Sequence, residues 1–135
     1  MRQLKFRAWN GKNMVLPDLS DWDDFFILPD GDIGFMDEDT RPYSSHRFLG
    51  YRKDWEVMQF TGLKDKNGKE IYEGDIILND MSEHSSFVSW DEILFSFISN
   101  EIESNTWVHL YEILEDINCY EVIGNIYENK DLLNK

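Results

Sequence analysis

Between residues 71 and 129 the sequence holds neither lysine nor arginine. Broad nucleic-acid binding draws its affinity from such cations displacing counterions from phosphate, so nearly half of the chain is excluded from that role. Cysteine is almost as scarce. Cys119 stands alone, so no intrachain disulfide can form, which suits a reducing compartment. No apolar run approaches the roughly 18 residues of a spanning helix; Phe25-Phe26-Ile27-Leu28 represents those present. The opening MRQLKFRAWN places charges where a signal peptide would need its apolar stretch. The expectation is a cytoplasmic protein with no membrane contact.

Signatures of catalysis are missing as well. There is no Gly-x-Ser-x-Gly elbow, no Gly-rich phosphate loop ending in Lys-Ser/Thr and no His-Glu-x-x-His. Asp65-Lys66-Asn67 starts like a calcium loop, but Gly68 arrives two residues early, and Asp30-Gly31-Asp32 fails because Gly34 stands where a ligand is needed. His46, His84, His109 and Cys119 show no short zinc-ligand spacing. His109, between Val108 and Leu110, reads as a partly buried structural imidazole, and Cys119 as a packed thiol. Glu70, Glu73 and Asp75 could form an acid/base cluster, but carboxylates at turns more commonly cap backbone N–H groups. Neither cofactor, metal nor catalytic residue is expected.

What the chain does hold is acid, with 27 Asp and Glu and a formal net charge of -14 in 135 residues. Residues 1–15 carry +4, residues 16–40 carry -9, residues 41–70 carry +3 and residues 71–135 carry -12. Arg2, Lys5, Arg7 and Lys12 could cluster with Arg47, Arg52 and Lys53 as a phosphate-binding face, or could neutralise acids within the fold. The first option supports a nucleic-acid-binding module built on the N-terminal hairpin and the Arg47–Lys53 segment. The second fits the overall sign better.

Periodicity points to β-structure. Leu4, Phe6 and Ala8 alternate with Lys5, Arg7 and Trp9, then Asn10-Gly11 offers a two-residue type I′ turn into Met14–Leu16. Pro29-Asp30-Gly31-Asp32 joins Phe25–Leu28 to Ile33–Met36. Residues 37–53 read as an irregular connection punctuated by Pro42 and Gly50. Trp55–Phe60, Ile76–Leu78 and Cys119–Ile123 read as strands, with bends at Asp65–Lys69 and Glu73–Asp75 between the first two. Ser86–Trp90 and Ile93–Ser99 read as a hairpin joined through Asp91-Glu92. Thr106–Asp116 fits both periods and is taken as strand on the β-propensity of Thr-Trp-Val; Glu128–Leu133 suits a closing helical turn. The fold class is mainly β: a single domain over 1–135, a small barrel or strongly bent sheet of hairpins with irregular acidic loops.

Three stretches, KFRAWNGKNMV, MQFTGLKDKNGKEIYEGDII and EVIGNIYEN, resemble the YopX family of phage and prophage proteins. Residues 16–54 and 79–118 carry no part of the resemblance. It implies a mainly β fold with an SH3-like barrel component and brings no activity, cofactor or site residue with it.

Trp9, Trp55, Trp90 and Trp107 should be core or cross-strand partners, whereas Trp22 sits in an acidic loop, Ser20-Asp21-Trp22-Asp23-Asp24. There it either anchors a partner or folds back onto the barrel. With Asp21, Asp23, Asp24, Asp37, Glu38 and Asp39 it makes the candidate partner-binding set. The expected function is a non-enzymatic accessory protein that binds a host or phage protein, or itself, and an oligomer through a strand edge is open. The alternatives are the nucleic-acid module above, an acidic mimic of nucleic acid using residues 18–39 and 73–128, and a carboxylate-metal enzyme.

Overall fold

The computed structural model describes residues 4–16, 25–27, 33–36, 48–51 and 55–134, the three short middle stretches by backbone alone. They form a mainly β structure: β1 Phe6–Trp9, β2 Met14–Val15, β3 Phe25–Ile27, β4 Ile33–Met36, β5 Phe48–Tyr51, β6 Glu56–Lys64, β7 Glu70–Tyr72, β8 Asp75–Asn79, β9 Ser85–Asp91, β10 Ser96–Glu101, β11 Trp107–His109 and β12 Tyr120–Asn125. Leu110–Cys119 and Lys130–Leu133 are 3-10 segments, the second where a closing helical turn is expected. The chain divides into two compact units, Phe6–Met58 and Met1–Lys5 with Gln59–Lys135.

In the Phe6–Met58 unit, β1 pairs antiparallel with β2, Ala8 opposite Val15 and Trp9 opposite Met14. The loop is therefore four residues, Asn10–Asn13, and not a two-residue turn on Asn10-Gly11. Asn10 sets this width, because its Oδ1 accepts the N–H groups of Lys12 at 2.8 Å and Asn13 at 2.7 Å. Ala8 is fully buried under Val15, Trp55 and Val57. Arg7, one residue before it in the strand, is buried too. A second sheet follows, order β3-β4-β5, with Phe25 opposite Phe35 and Gly34 opposite Tyr51. β5 corrects the expectation of an irregular stretch over 37–53. Gly50 lies in register with Phe35, and the ladder bulges beside it, where a sheet tolerates glycine.

In the larger unit, β6 pairs with β7, and a five-stranded antiparallel sheet runs in the order β11-β10-β9-β8-β12. Phe97, Val88, Ile77 and Val122 lie on successive strands of one sheet face by register. Ile71, Ile77, Val88 and Val122 are buried there with Leu110 and Ile113, and Leu63, Phe97, Ile117 and Tyr120 pack against them. Leu110, Ile113 and Ile117 recur at helical spacing, which is why Thr106–Asp116 does not continue as the expected strand. Only Trp107–His109 is extended. The chain then turns into the 3-10 segment to bury that stripe over the sheet, and Tyr111 and Leu114 face outward.

Two bends expected from the sequence hold this unit together. Asp65 is 7% exposed, and its Oδ1 accepts the N–H groups of Asn67 and Lys69 while Oδ2 reaches β12 and accepts the Val122 N–H, all at 2.9 Å. Lys66 N–H donates to the Tyr120 carbonyl alongside. Both bonds fall on the outer side of β12, so the bend caps a sheet edge that would otherwise be bare. Burial alone would raise the Asp65 carboxyl. The N–H groups of Val122, Lys69 and Asn67 and the Lys69 charge outweigh burial and hold it below its ordinary 3.8. In the second bend, Gly74 takes φ 83°, a region closed to most side chains, and Asp75 Oδ2 accepts the Tyr72 N–H at 2.8 Å. Glu73 Oε1 accepts the Gln59 N–H at 2.9 Å, and Glu70 pairs with Lys5 at 2.9 Å. The three carboxylates around this bend thus serve turns and strand ends.

The loops β8–β9, β9–β10 and β10–β11 repeat one design. Register places Asn79 opposite His84, Asp91 opposite Ser96 and Glu101 opposite Thr106, so each loop has four residues. The fourth is left-handed in every case: Glu83 at φ 62°, Phe95 at φ 51° and Asn105 at φ 55°. The β9–β10 connection is therefore Glu92–Phe95, longer than the expected Asp91-Glu92 link. Asp91 Oδ1 organises it by accepting the N–H groups of Ile93 and Leu94, both at 2.9 Å.

Candidate interaction surface

The residues singled out for partner binding, Trp22, Asp21, Asp23, Asp24, Asp37, Glu38 and Asp39, lie outside the described residues, as do Arg2, Arg47, Arg52 and Lys53. Among the described cations, Lys5 is held by Glu70 and sits 5.6 Å from the centre of the Phe60 ring, and Arg7 is buried. Lys5 thus pairs with an acid of the fold, and Arg7 is withdrawn from solvent. Among the described residues no three or more His, Cys, Asp or Glu side chains gather as a metal site would need. No helix among them is long and apolar enough to cross a membrane.

A different surface stands out, and it belongs wholly to the larger unit. The β9–β10 loop presents Ile93 at 88% exposure and Phe95 at 78%, and the 3-10 segment presents Tyr111 at 61%. Trp90, Leu94, Trp107 and Leu114 are exposed as well. Ring contacts form two groups, which the register of β9, β10 and β11 places on opposite faces of the sheet near its β11 edge. Trp90 meets Phe97 edge-on, centroids 5.0 Å apart, across the β9–β10 ladder. His109 stacks on Tyr111 at 5.0 Å and meets Trp107 edge-on at 5.5 Å. Ser96 Oγ lies 2.8 Å from His109 Nδ1 and ties the second group back to β10. Phe97 and Tyr111, one from each group, line a groove of about 210 Å³ together with Thr61, Leu63, Ser96, Leu110 and Leu114.

His109 is thus the partly buried structural imidazole its sequence position suggests. Trp90 is a cross-strand partner as expected, although it and Trp107 keep much of their surface in water. The strand edge at β11 is short. Its His109 N–H is taken by Glu112 Oε2 at 2.7 Å, which leaves side chains, more than backbone, to meet a partner.

Phe95 is the residue that folding explains least. A left-handed backbone at a residue with a Cβ costs about 1–2 kcal/mol, and a phenylalanine that is 78% exposed recovers little of that through burial. Glycine or asparagine would fill the position more cheaply, as Asn105 does in the next loop. A residue that breaks a local rule without structural return marks a place where something other than stability sets the choice.

The family model described as YopX protein matches residues 5–134. The chain belongs to the YopX family. Protein EF1440 from Enterococcus faecalis, known from a crystal structure, is similar over 98% of this chain and 99% of its own, with 27% identity and a TM-score of 0.64. Protein yopX from Bacillus subtilis is similar over 98% and 99%, with 22% identity and a TM-score of 0.59, a likeness of fold. No curated protein matches the sequence. The YopX-like stretches contain Asp65, Gly74 and Asp75, whose contacts are architectural, whereas Phe95, Trp107 and Tyr111 fall in residues 79–118, outside them.

Proposed function

We propose that this YopX-family chain acts by binding a protein, as a phage-derived accessory module without catalysis of its own, and that the exposed aromatic face of the larger unit is its contact surface. The observation that carries the reading is Phe95: an exposed aromatic in a left-handed loop position, with exposed Ile93 and Leu94 in the same loop, which leads into Ser96 and Phe97 of the groove. Large aromatic residues at the centre of a surface patch are what protein interfaces favour. The groove is smaller than the roughly 300–1,000 Å³ of sites that enclose a small molecule, and suits one anchoring side chain. The acidic balance and the internal use of Lys5 and Arg7 favour protein over nucleic acid as the partner.

The test is a paired capture from nuclease-treated bacterial lysate, with the tagged chain and with its Phe95→Asn/Tyr111→Gln variant. A protein retained by the first and absent from the second is expected. Identical captures on both, or retention of added DNA or RNA by the purified unvaried chain at low salt, would refute the reading.

A further inference from the structure

The charges around the aromatic face specify its occupant more narrowly. We infer that the face accepts a cationic amphipathic segment: a peptide or helix of another protein that inserts a large apolar side chain between Phe97 and Tyr111 and flanks it with lysine or arginine. This rests on the protein-binding reading above.

Exposed carboxylates are carried by the segments that adjoin the groove's lining in the chain: Glu92 in the β9–β10 loop that leads into Ser96 and Phe97, and Glu112, Glu115 and Asp116 on the 3-10 segment that supplies Leu110, Tyr111 and Leu114. Neither element carries a cation to offset them, since residues 71–129 contain no lysine or arginine. On the remaining wall, β6 carries the exposed Lys64, whose register partner Glu70 is held by Lys5. An apolar centre in a predominantly acidic setting attracts its complement and repels its like. A second copy of the chain would bring two acidic rims together as the faces closed. Single-stranded nucleic acid would find aromatic rings to stack on, but no cationic groove to hold its phosphates. An anionic membrane surface is repelled on the same ground. A protein segment with an apolar anchor and basic flanks satisfies both features at once.

Selection from a displayed library of random 15-residue peptides against the full chain, with counter-selection on the Phe95→Asn/Tyr111→Gln variant, tests this without prior choice of partner. Patch-dependent peptides enriched in a large apolar residue flanked by lysine or arginine are expected. A synthetic peptide from that pool should bind at least tenfold more weakly when its basic residues are replaced by glutamine. Its affinity should fall by about tenfold between 50 and 500 mM NaCl, as screening shortens the Debye length below about 10 Å. The Glu92→Gln/Glu115→Gln/Asp116→Asn variant, which spares the Glu112 bond to His109, should remove most of that salt dependence while circular dichroism stays unchanged. Patch-dependent peptides with no basic bias would overturn the charge inference and leave protein binding standing. Enrichment of acidic peptides would do the same. A pool with no dependence on the patch would overturn both.

Discussion

Replacing Asp65 by alanine removes one carboxylate and three hydrogen bonds, two inside the 65–69 bend and one to β12. The bend's own donors, Asn67 and Lys69, are exposed and can turn to water at small cost. Val122 is buried, so its N–H is stranded. A hydrogen bond to a charged group contributes about 1.5–3 kcal/mol, and an unsatisfied buried donor costs a similar amount. Asp65→Ala should therefore destabilise the larger unit by about 3–5 kcal/mol, a large share of the roughly 5–15 kcal/mol a domain possesses. Asp65→Asn keeps one carbonyl oxygen but must turn its amide either to the bend or to Val122, and should lose about 2–3 kcal/mol. Urea unfolding followed by circular dichroism reads the loss. Amide exchange locates it, because release of β12 at a cost of about 3 kcal/mol speeds exchange at Val122 by about a hundredfold. The folded Asp65 carboxyl lies below its unfolded value, so its contribution is complete above about pH 4 and disappears as pH falls through the lower folded value. The advantage of the unvaried chain over Asp65→Asn should shrink across that interval. Stability of Asp65→Ala within about 0.5 kcal/mol of the unvaried chain, as for a neutral surface change, would refute the edge-capping account.

Gly124→Ala should cost about 1–3 kcal/mol, because the new Cβ would lie 2.4 Å from Asn129 Oδ1, the acceptor for the Asn125 N–H; the same change in an Asn129→Ala background should cost clearly less, and equal costs in a double-mutant cycle would remove the clash as the cause. Phe95→Asn should leave stability unchanged or raise it by about 1 kcal/mol, since it relieves a left-handed phenylalanine and surrenders little burial; a loss above about 1 kcal/mol in thermal unfolding would show a packing role. The hydrogen bond to Glu101 and that carboxylate's charge raise the His84 pKa above the ordinary 6.5. Its contribution is full below the unfolded value and is lost as pH rises through the folded one, so an NMR titration should show His84 titrating late, and Glu101→Gln should return it toward normal.

The sequence announces the architecture where backbone geometry demands particular residues. Asn10, Asp65, Gly74 and Asp75 lie at bends because each supplies an acceptor or a conformation that few residues can, and bends over the last three are legible without a structure. The pairing of Phe25–Ile27 with Ile33–Met36 is legible from two apolar runs that flank Pro29-Asp30-Gly31-Asp32 in the sequence. Thr106–Asp116 fails because both periods fit its apolar residues, and only the sheet beneath decides that Leu110, Ile113 and Ile117 form the inward stripe. The exposed aromatic residues are illegible for a deeper reason. Composition treats Trp90, Trp107 and Phe95 as core material, and nothing in a sequence distinguishes a tryptophan with a lid from one without. A signal did exist in the β9–β10 loop. Asp91 is an acceptor placed to organise a four-residue loop, whose fourth position calls for glycine or asparagine, and phenylalanine stands there instead.

The order of strands has a consequence for synthesis on the ribosome. β8, β9, β10 and β11 are joined by short loops, so this ribbon can assemble as each strand emerges. One flank of β8 is left over. It belongs to β12, whose Val122 pairs with Ile77, and the Asp65 clamp waits for the same residue. Until residues 120–125 are out, the nascent ribbon has a bare β8 edge, and the fully buried Ile76 and Ile77 lack their last neighbour strand. A translation arrest or cleavage just before Tyr120 would release that edge to pair with other chains. The final strand thus decides whether a ribosome delivers a sealed sheet or the seed of an aggregate.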